Sequence, residues 1–332
     1  MVMNSQVQPI SQLAETQPVF QFQLPALPPL IGIQPAYADQ SITFNDNFVN
    51  DCQQSGAGVN NQNCNFIGTD GISAATQDPP SGTSNLYDVI INIDALNNCD
   101  EFDAGDNNVE CIGNPNHIVG PVTQTNNPNV NPVGTNEIDI VTADNILNDC
   151  TESGNGDNNA ECINDGFDII NAITQNNFVD ASNTIGASFV ESNTVNTLQG
   201  FDETNDCDEA SDGNNDVNCS NDVENLIGPV DQSNSVTGTT PNTIHSNNIE
   251  VSQLADARND CDESGTDAGI NDAECTTEAD NAINSIGQQN LANGPDNAAQ
   301  TNDFSNIQSS DLNNNCDEFE NGDNTVFCNI DN

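Results

Sequence analysis

Cysteines arrive in six pairs along this chain, at 52/64, 99/111, 150/162, 207/219, 261/275 and 316/328. Five pairs enclose eleven residues and the fifth encloses thirteen. An Asn stands two residues before every first cysteine: Asn50, Asn97, Asn148, Asn205, Asn259 and Asn314. A Gln stands thirteen residues after each of the first five second cysteines: Gln77, Gln124, Gln175, Gln232 and Gln288. Between each Gln and the next cysteine the length varies. The unit is therefore a fixed part and a variable part, about 50 residues in all, the period of a repeat architecture. Boundaries fall at 39–64, 65–111, 112–162, 163–219, 220–275 and 276–328, and the sixth unit stops at its second cysteine.

Alternate residues around the Gln read Asn171, Ile173, Gln175, Asn177 and Gly228, Val230, Gln232, Asn234. That is a strand with one apolar, amide-lined face. Stacked copies would join the five Gln into hydrogen-bonded ladders. A short amphipathic helix is the rival, because Val223, Leu226, Ile227 and Val230 have helical spacing. Pro121 and Pro229 lie in the same segment and oppose it. A second strand precedes each cysteine loop, as in Ile42–Asn45, Val89–Ile93 and Ile138–Val141. Two strands and two turns per unit predict an all-β repeat fold, a β-solenoid or stacked β modules, in which neighbours share a core.

Twelve cysteines without a CxxC spacing read as structural disulfides of an oxidising compartment. The near-fixed interval within pairs favours local bridges. Each closes a loop of about 13 residues, worth roughly 3 kcal/mol in chain-entropy terms.

One Lys or Arg faces 52 Asp plus Glu, a formal charge of -51. Nucleic acid and anionic membranes are excluded as electrostatic partners, since both require basic patches. The acidic residues crowd into the cysteine loops. There Asp100, Glu101, Asp103, Asp106, Asp208, Asp212, Asp216, Asp262, Asp267, Asp272, Asp317, Glu320 and Asp323 are candidate oxygen ligands for a hard cation such as Ca²⁺. The spacing is not that of an EF-hand, and a solvated acidic turn is the plainer reading. The first loop has no carboxylate between its cysteines. Neither His117 nor His245 lies in a recognisable catalytic motif, and no nucleophile or phosphate-loop signature occurs. No enzyme is expected.

Residues 1–38 hold six prolines and no cysteine. The apolar run Leu24–Ile33 ends at Ala36-Tyr37-Ala38, a signal-type cleavage pattern before Asp39, although no basic residue lies upstream. The alternative is a retained apolar arm. No stretch reaches the length of a membrane span.

The Gln and Asn spaced along an aliphatic strand face resemble curlin-type and other Asn-rich microbial surface repeats. The likeness covers the Gln segments alone, since curlin units are shorter and lack cysteine loops. It implies a self-associating, secreted, cell-surface fibre, sheath or matrix protein. A monomeric adhesin or cation-binding module is the alternative.

Overall fold

The computed structural model describes residues 39–331, apart from 55–59, 78–84, 104–105, 127–132, 155, 181–187, 212, 239–241, 265–269, 294–297 and 320–322. The 1–38 segment lies outside the described residues. Every regular element described is a strand. The first coil comprises β1 (Asp39–Gln54), β2 (Asn60–Ile72) and β3 (Ala75–Gln77). The second has β4 (Asn85–Asp103), β5 (Asn107–Val119) and β6 (Val122–Asn126). The third has β7 (Val133–Gly154), β8 (Asn158–Ile170) and β9 (Ile173–Asp180). The fourth has β10 (Ser188–Ser211), β11 (Asn215–Ile227) and β12 (Val230–Thr237). The fifth has β13 (Asn242–Ser264), β14 (Ile270–Ile283) and β15 (Ile286–Asn293), and the sixth β16 (Ala298–Phe319) and β17 (Asp323–Asp331).

Corresponding strands pair in parallel, giving a long sheet and a middle sheet of six strands each and a short sheet of five. This is a β-solenoid. Each of the first five coils has three strands rather than two, because the segment that carries the second cysteine is itself a strand, and the sixth has two. No helix occurs among the described residues, so the helical alternative fails; Val223, Ile227 and Val230 face inward along β11 and β12. The long sheet packs against both others and forms one wall alone.

Like sits on like throughout. Cys52, Cys99, Cys150, Cys207, Cys261 and Cys316 form one column of the long sheet. Coil lengths nevertheless run from 47 to 57 residues, the intervals at which successive Asn97, Asn148 and Asn205 side chains bond. The surplus is absorbed mainly in the connection from the short sheet to the next long strand, which is where the sequence varies. The main apolar core joins Val89, Ile91, Ile138 and Ile140 of the long sheet to Ile170, Ile173, Ile227 and Val230 opposite. A second core surrounds the cysteines, with Val109, Val217 and Ala273.

The corner between the middle and short sheets falls at Gly120-Pro121 and Gly228-Pro229, where the prolines sit outside the strands. Successive corners nearly touch. The Gly228 N–H donates to Ile170 O at 2.6 Å, and a Cβ on Gly228 would lie 2.8 Å from the Asn171 carbonyl carbon. By contrast, a Cβ on Gly200 would meet nothing nearer than 4.0 Å. Gly228→Ala should therefore cost about 1–3 kcal/mol through forced backbone shifts, and Gly200→Ala almost nothing. Equal denaturant midpoints for the two variants would contradict this packing.

Candidate functional site: amide ladders, carboxylate rows and open ends

Parallel, in-register stacking turns each sequence position into a row, and the rows are the candidate site. Gln124 Nε2 donates to Gln77 Oε1 at 2.8 Å, Gln175 to Gln124 at 2.8 Å, Gln232 to Gln175 at 2.8 Å and Gln288 to Gln232 at 3.1 Å. Gln124, Gln175, Gln232 and Gln288 also donate to a main-chain carbonyl of the following long strand, fixing the short sheet to the wall. The Asn before each first cysteine forms a second ladder: Asn97 donates to Asn148, Asn148 to Asn205 and Asn205 to Asn259. The two ladders have opposite polarity. Gln amides donate toward the first coil, and these Asn amides donate toward the sixth. A third Gln row, Gln199, Gln253 and Gln308, was not singled out from sequence, although it lies eight residues before the cysteine in each of these coils.

Disulfides join the long and middle sheets within each coil: Cys52–Cys64, Cys99–Cys111, Cys150–Cys162, Cys207–Cys219, Cys261–Cys275 and Cys316–Cys328. Such bridges belong to an oxidising compartment. No described helix is long and apolar enough to cross a membrane.

The acidic residues divide into three groups. Asp100, Asp208 and Asp262 lie on the outer face of the long sheet beside the cysteines, and Asp216 and Asp272 lie on the outer face of the middle sheet. Asp208 and Asp262 are adjacent in register, next to a row of Asp149, Asp206 and Asp260 that sequence reasoning passed over. The signal for that row was the position just before each first cysteine. Burial and then the charges of Asp208, Asp149, Asp260 and Asp262 push Asp206 up to about 6. Asp106 is tied into the turn stack, since its carboxylate accepts the Asp157 N–H at 3.4 Å, and Asp157 in turn accepts the Asn214 N–H. Asp212, Asp267 and Glu320 lie outside the described residues; Asp103, Asp317 and Asp323 lie within strands.

Glu101 belongs to the third group. It points into the solenoid, in a column with Glu152 and Glu209, all three buried. Burial, followed by the charge of Glu101, pushes Glu152 up to about 8, against the opposing Asn159 N–H. Glu191 is pushed up to about 8 by burial, and burial lowers His245, whose Nε2 lies 3.5 Å from Glu191 Oε2. Both shifts favour a neutral pair. Register stacking in a shared interior perturbs these carboxylates. The one guanidinium, Arg258, meets Asp256 at 3.1 Å on the surface, where a pair contributes little.

Among the described residues nothing covers either end of the stack. β1 and β16 each pair on one side only. Interior columns emerge there: Phe304, stacked on buried Ile249, is 45% exposed, and Val326, stacked on Ala273, is 42% exposed. Comparison with protein-family models, with curated proteins and with solved structures found no match for this chain.

Proposed function

We propose that this chain is a non-catalytic structural protein, secreted and assembled end to end into an extracellular fibre, sheath or surface layer. The observation that carries the reading is the pair of open ends. Sixteen-residue β1 and twenty-two-residue β16 are long unpaired edges of the kind that soluble proteins usually blunt. Ladder polarity selects the mode of contact. A head-to-tail translation sets the Asn314 amide of one chain against the Asn50 side-chain oxygen of the next and so continues the Asn ladder, whereas the Gln ladder ends in the fifth coil. A two-fold contact sets like against like. Head-to-tail contacts are heterologous and do not close, so they build filaments.

Divalent cations fit the same picture. The rows of like charge on the outer faces repel along the axis, and Ca²⁺ bound by neighbouring carboxylates would relieve that repulsion. Millimolar Ca²⁺ should raise the melting temperature more than NaCl of equal ionic strength, which supplies screening alone. Equal effects would reduce the rows to solvated acids.

Phe304→Asp places a charge on an emerging interior column, and Ile307→Asp places one on the outer face of the same strand. Sedimentation velocity in millimolar CaCl₂ should show polymer for the unaltered chain and for Ile307→Asp, and monomer for Phe304→Asp. Polymer of unchanged size from Phe304→Asp would remove the ends from the assembly.

A further inference from the structure

His117, Asp144 and Asp168 come from three different strands and two coils, and meet inside the solenoid. His117 lies on β5, with Asp168 directly above it in register on β8; Asp144 faces them from β7. Their side chains are fully buried, with His117 Nδ1 3.0 Å from Asp168 Oδ1 and His117 Nε2 3.5 Å from Asp144 Oδ1. One ligand atom from each lies within 4.8 Å of the others. Despite this proximity, neither nitrogen of His117 and neither oxygen of Asp168 has a hydrogen-bond partner, because the ring N–H directions miss the carboxylates. Glu203, also fully buried and with both oxygens unpartnered, stands over Gly166, where a Cβ would strike Glu203 Oε1. Unpartnered groups of this kind in a dry interior are costly, and they call for a ligand.

We infer that His117, Asp144 and Asp168 form a binding site for one first-row divalent cation, with Zn²⁺ the best fit. An imidazole nitrogen with two carboxylates is a borderline donor set that suits Zn²⁺ and its neighbours, whereas Ca²⁺ takes oxygen ligands. The two short approaches are to opposite edges of the ring and one cation takes a single nitrogen, so the ligand atoms must close from within 4.8 Å to the roughly 3.5 Å that bonds of about 2.0–2.2 Å set in a tetrahedral site. The charge also balances. Two carboxylates neutralise a dication around a neutral imidazole, whereas an imidazolium between two carboxylates leaves a net negative charge. Glu203 and Asp70, the latter paired in register with His117, are additional oxygen donors close enough for their charges to act on Asp144. The site has no opening on the surface, so the cation enters as the coils close. This inference is independent of the assembly reading, since it concerns the interior of one chain.

The test refolds the full chain, disulfides intact, from denaturant with equimolar Zn²⁺ or Co²⁺. Excess Ca²⁺ is present to occupy the acidic exterior. After gel filtration, one Zn²⁺ per chain is expected, together with visible Co²⁺ bands of a low-coordinate site. His117→Gln and Asp168→Asn should each lose the bound metal at least tenfold, while Asp208→Asn on the outer face keeps it. Should the interior variants fail to refold, the Co²⁺ spectrum of the unaltered chain decides, because a carboxylate exterior gives only the weak absorption of a six-oxygen site. Absence of retained Zn²⁺ and of low-coordinate Co²⁺ bands in the unaltered chain, or full retention by His117→Gln, overturns the site.

Discussion

The melting temperature of this protein should fall as pH rises from 6.5 to 8, the reverse of the usual behaviour of acidic groups held in ion pairs. Glu152 and Glu191 are each pushed from 4.5 up to about 8. Between those values the unfolded chain has released these protons and the folded chain retains them. Stability therefore declines with pH, at about 1.4 kcal/mol per pH unit for each group. The contribution is full below pH 4.5 and gone above 8. Asp206, raised from 3.8 to about 6, adds a smaller loss of the same sign between those values, reduced by its partial exposure. His245 acts oppositely. Its lowered value means the unfolded chain binds the extra proton below about 6.5, so acid costs stability there. The two trends oppose each other below 6.5 and only the Glu trend operates above it. The expected loss from pH 6.5 to 8 is about 3–4 kcal/mol, from two groups over one and a half units. Calorimetry across this range is the check, with Glu152→Gln/Glu191→Gln as the variant that should flatten the slope. A melting temperature that rises over the interval would mean that these carboxylates are ionised and paired in the folded chain.

Reduction of the disulfides should abolish cooperative folding at neutral pH. Each bridge joins cysteines 12 positions apart, or 14 for Cys261–Cys275, and holds two sheets at a Cα separation of 6.3–6.7 Å. Loop closure of this length contributes about 3 kcal/mol per bridge, and domains have only about 5–15 kcal/mol in total. Even half of the sum from six bridges, about 9 kcal/mol, is as large as a typical margin. The charge of -51 then opposes the reduced chain without restraint. Circular dichroism after reduction and alkylation should show loss of the strand signal at pH 7.5. A single bridge removed by Cys207→Ala/Cys219→Ala should cost about 2–4 kcal/mol. A reduced, alkylated chain that melts at its original temperature would show that the ladders alone hold the coils.

The repeat and its strands were legible because cysteine, Asn and Gln recur at fixed offsets and Ile and Val alternate around the Gln. The strand that follows each second cysteine was not. Along β5 the inward positions are Asn107, Val109, Cys111, Gly113, Pro115, His117 and Val119 and the outward ones include Ile112 and Ile118, so the apolar alternation is broken. Amides, glycine and acids fill this interior because register stacking satisfies or neutralises them between coils, which a hydrophobicity pattern cannot register. The buried His and carboxylate cluster was hidden for the same reason, its members lying far apart in sequence. One signal did exist. Asp70, His117, Asp168, Asn225 and Asn281 each stand six residues after a second cysteine, and they form one column. Glu101, read as a loop ligand, faces inward because it is two residues beyond Cys99 and so shares its side of the strand.

End-to-end continuation of the solenoid is tested most directly by fibre diffraction from oriented material assembled in millimolar Ca²⁺. Strands lie across the stacking axis, so the pattern should carry a strong meridional reflection at about 4.8 Å, the spacing between paired strands. Six coils per subunit add an axial repeat of about 29 Å from the same spacing. Monodisperse single chains at every concentration and Ca²⁺ level, with no such reflection, would contradict the account.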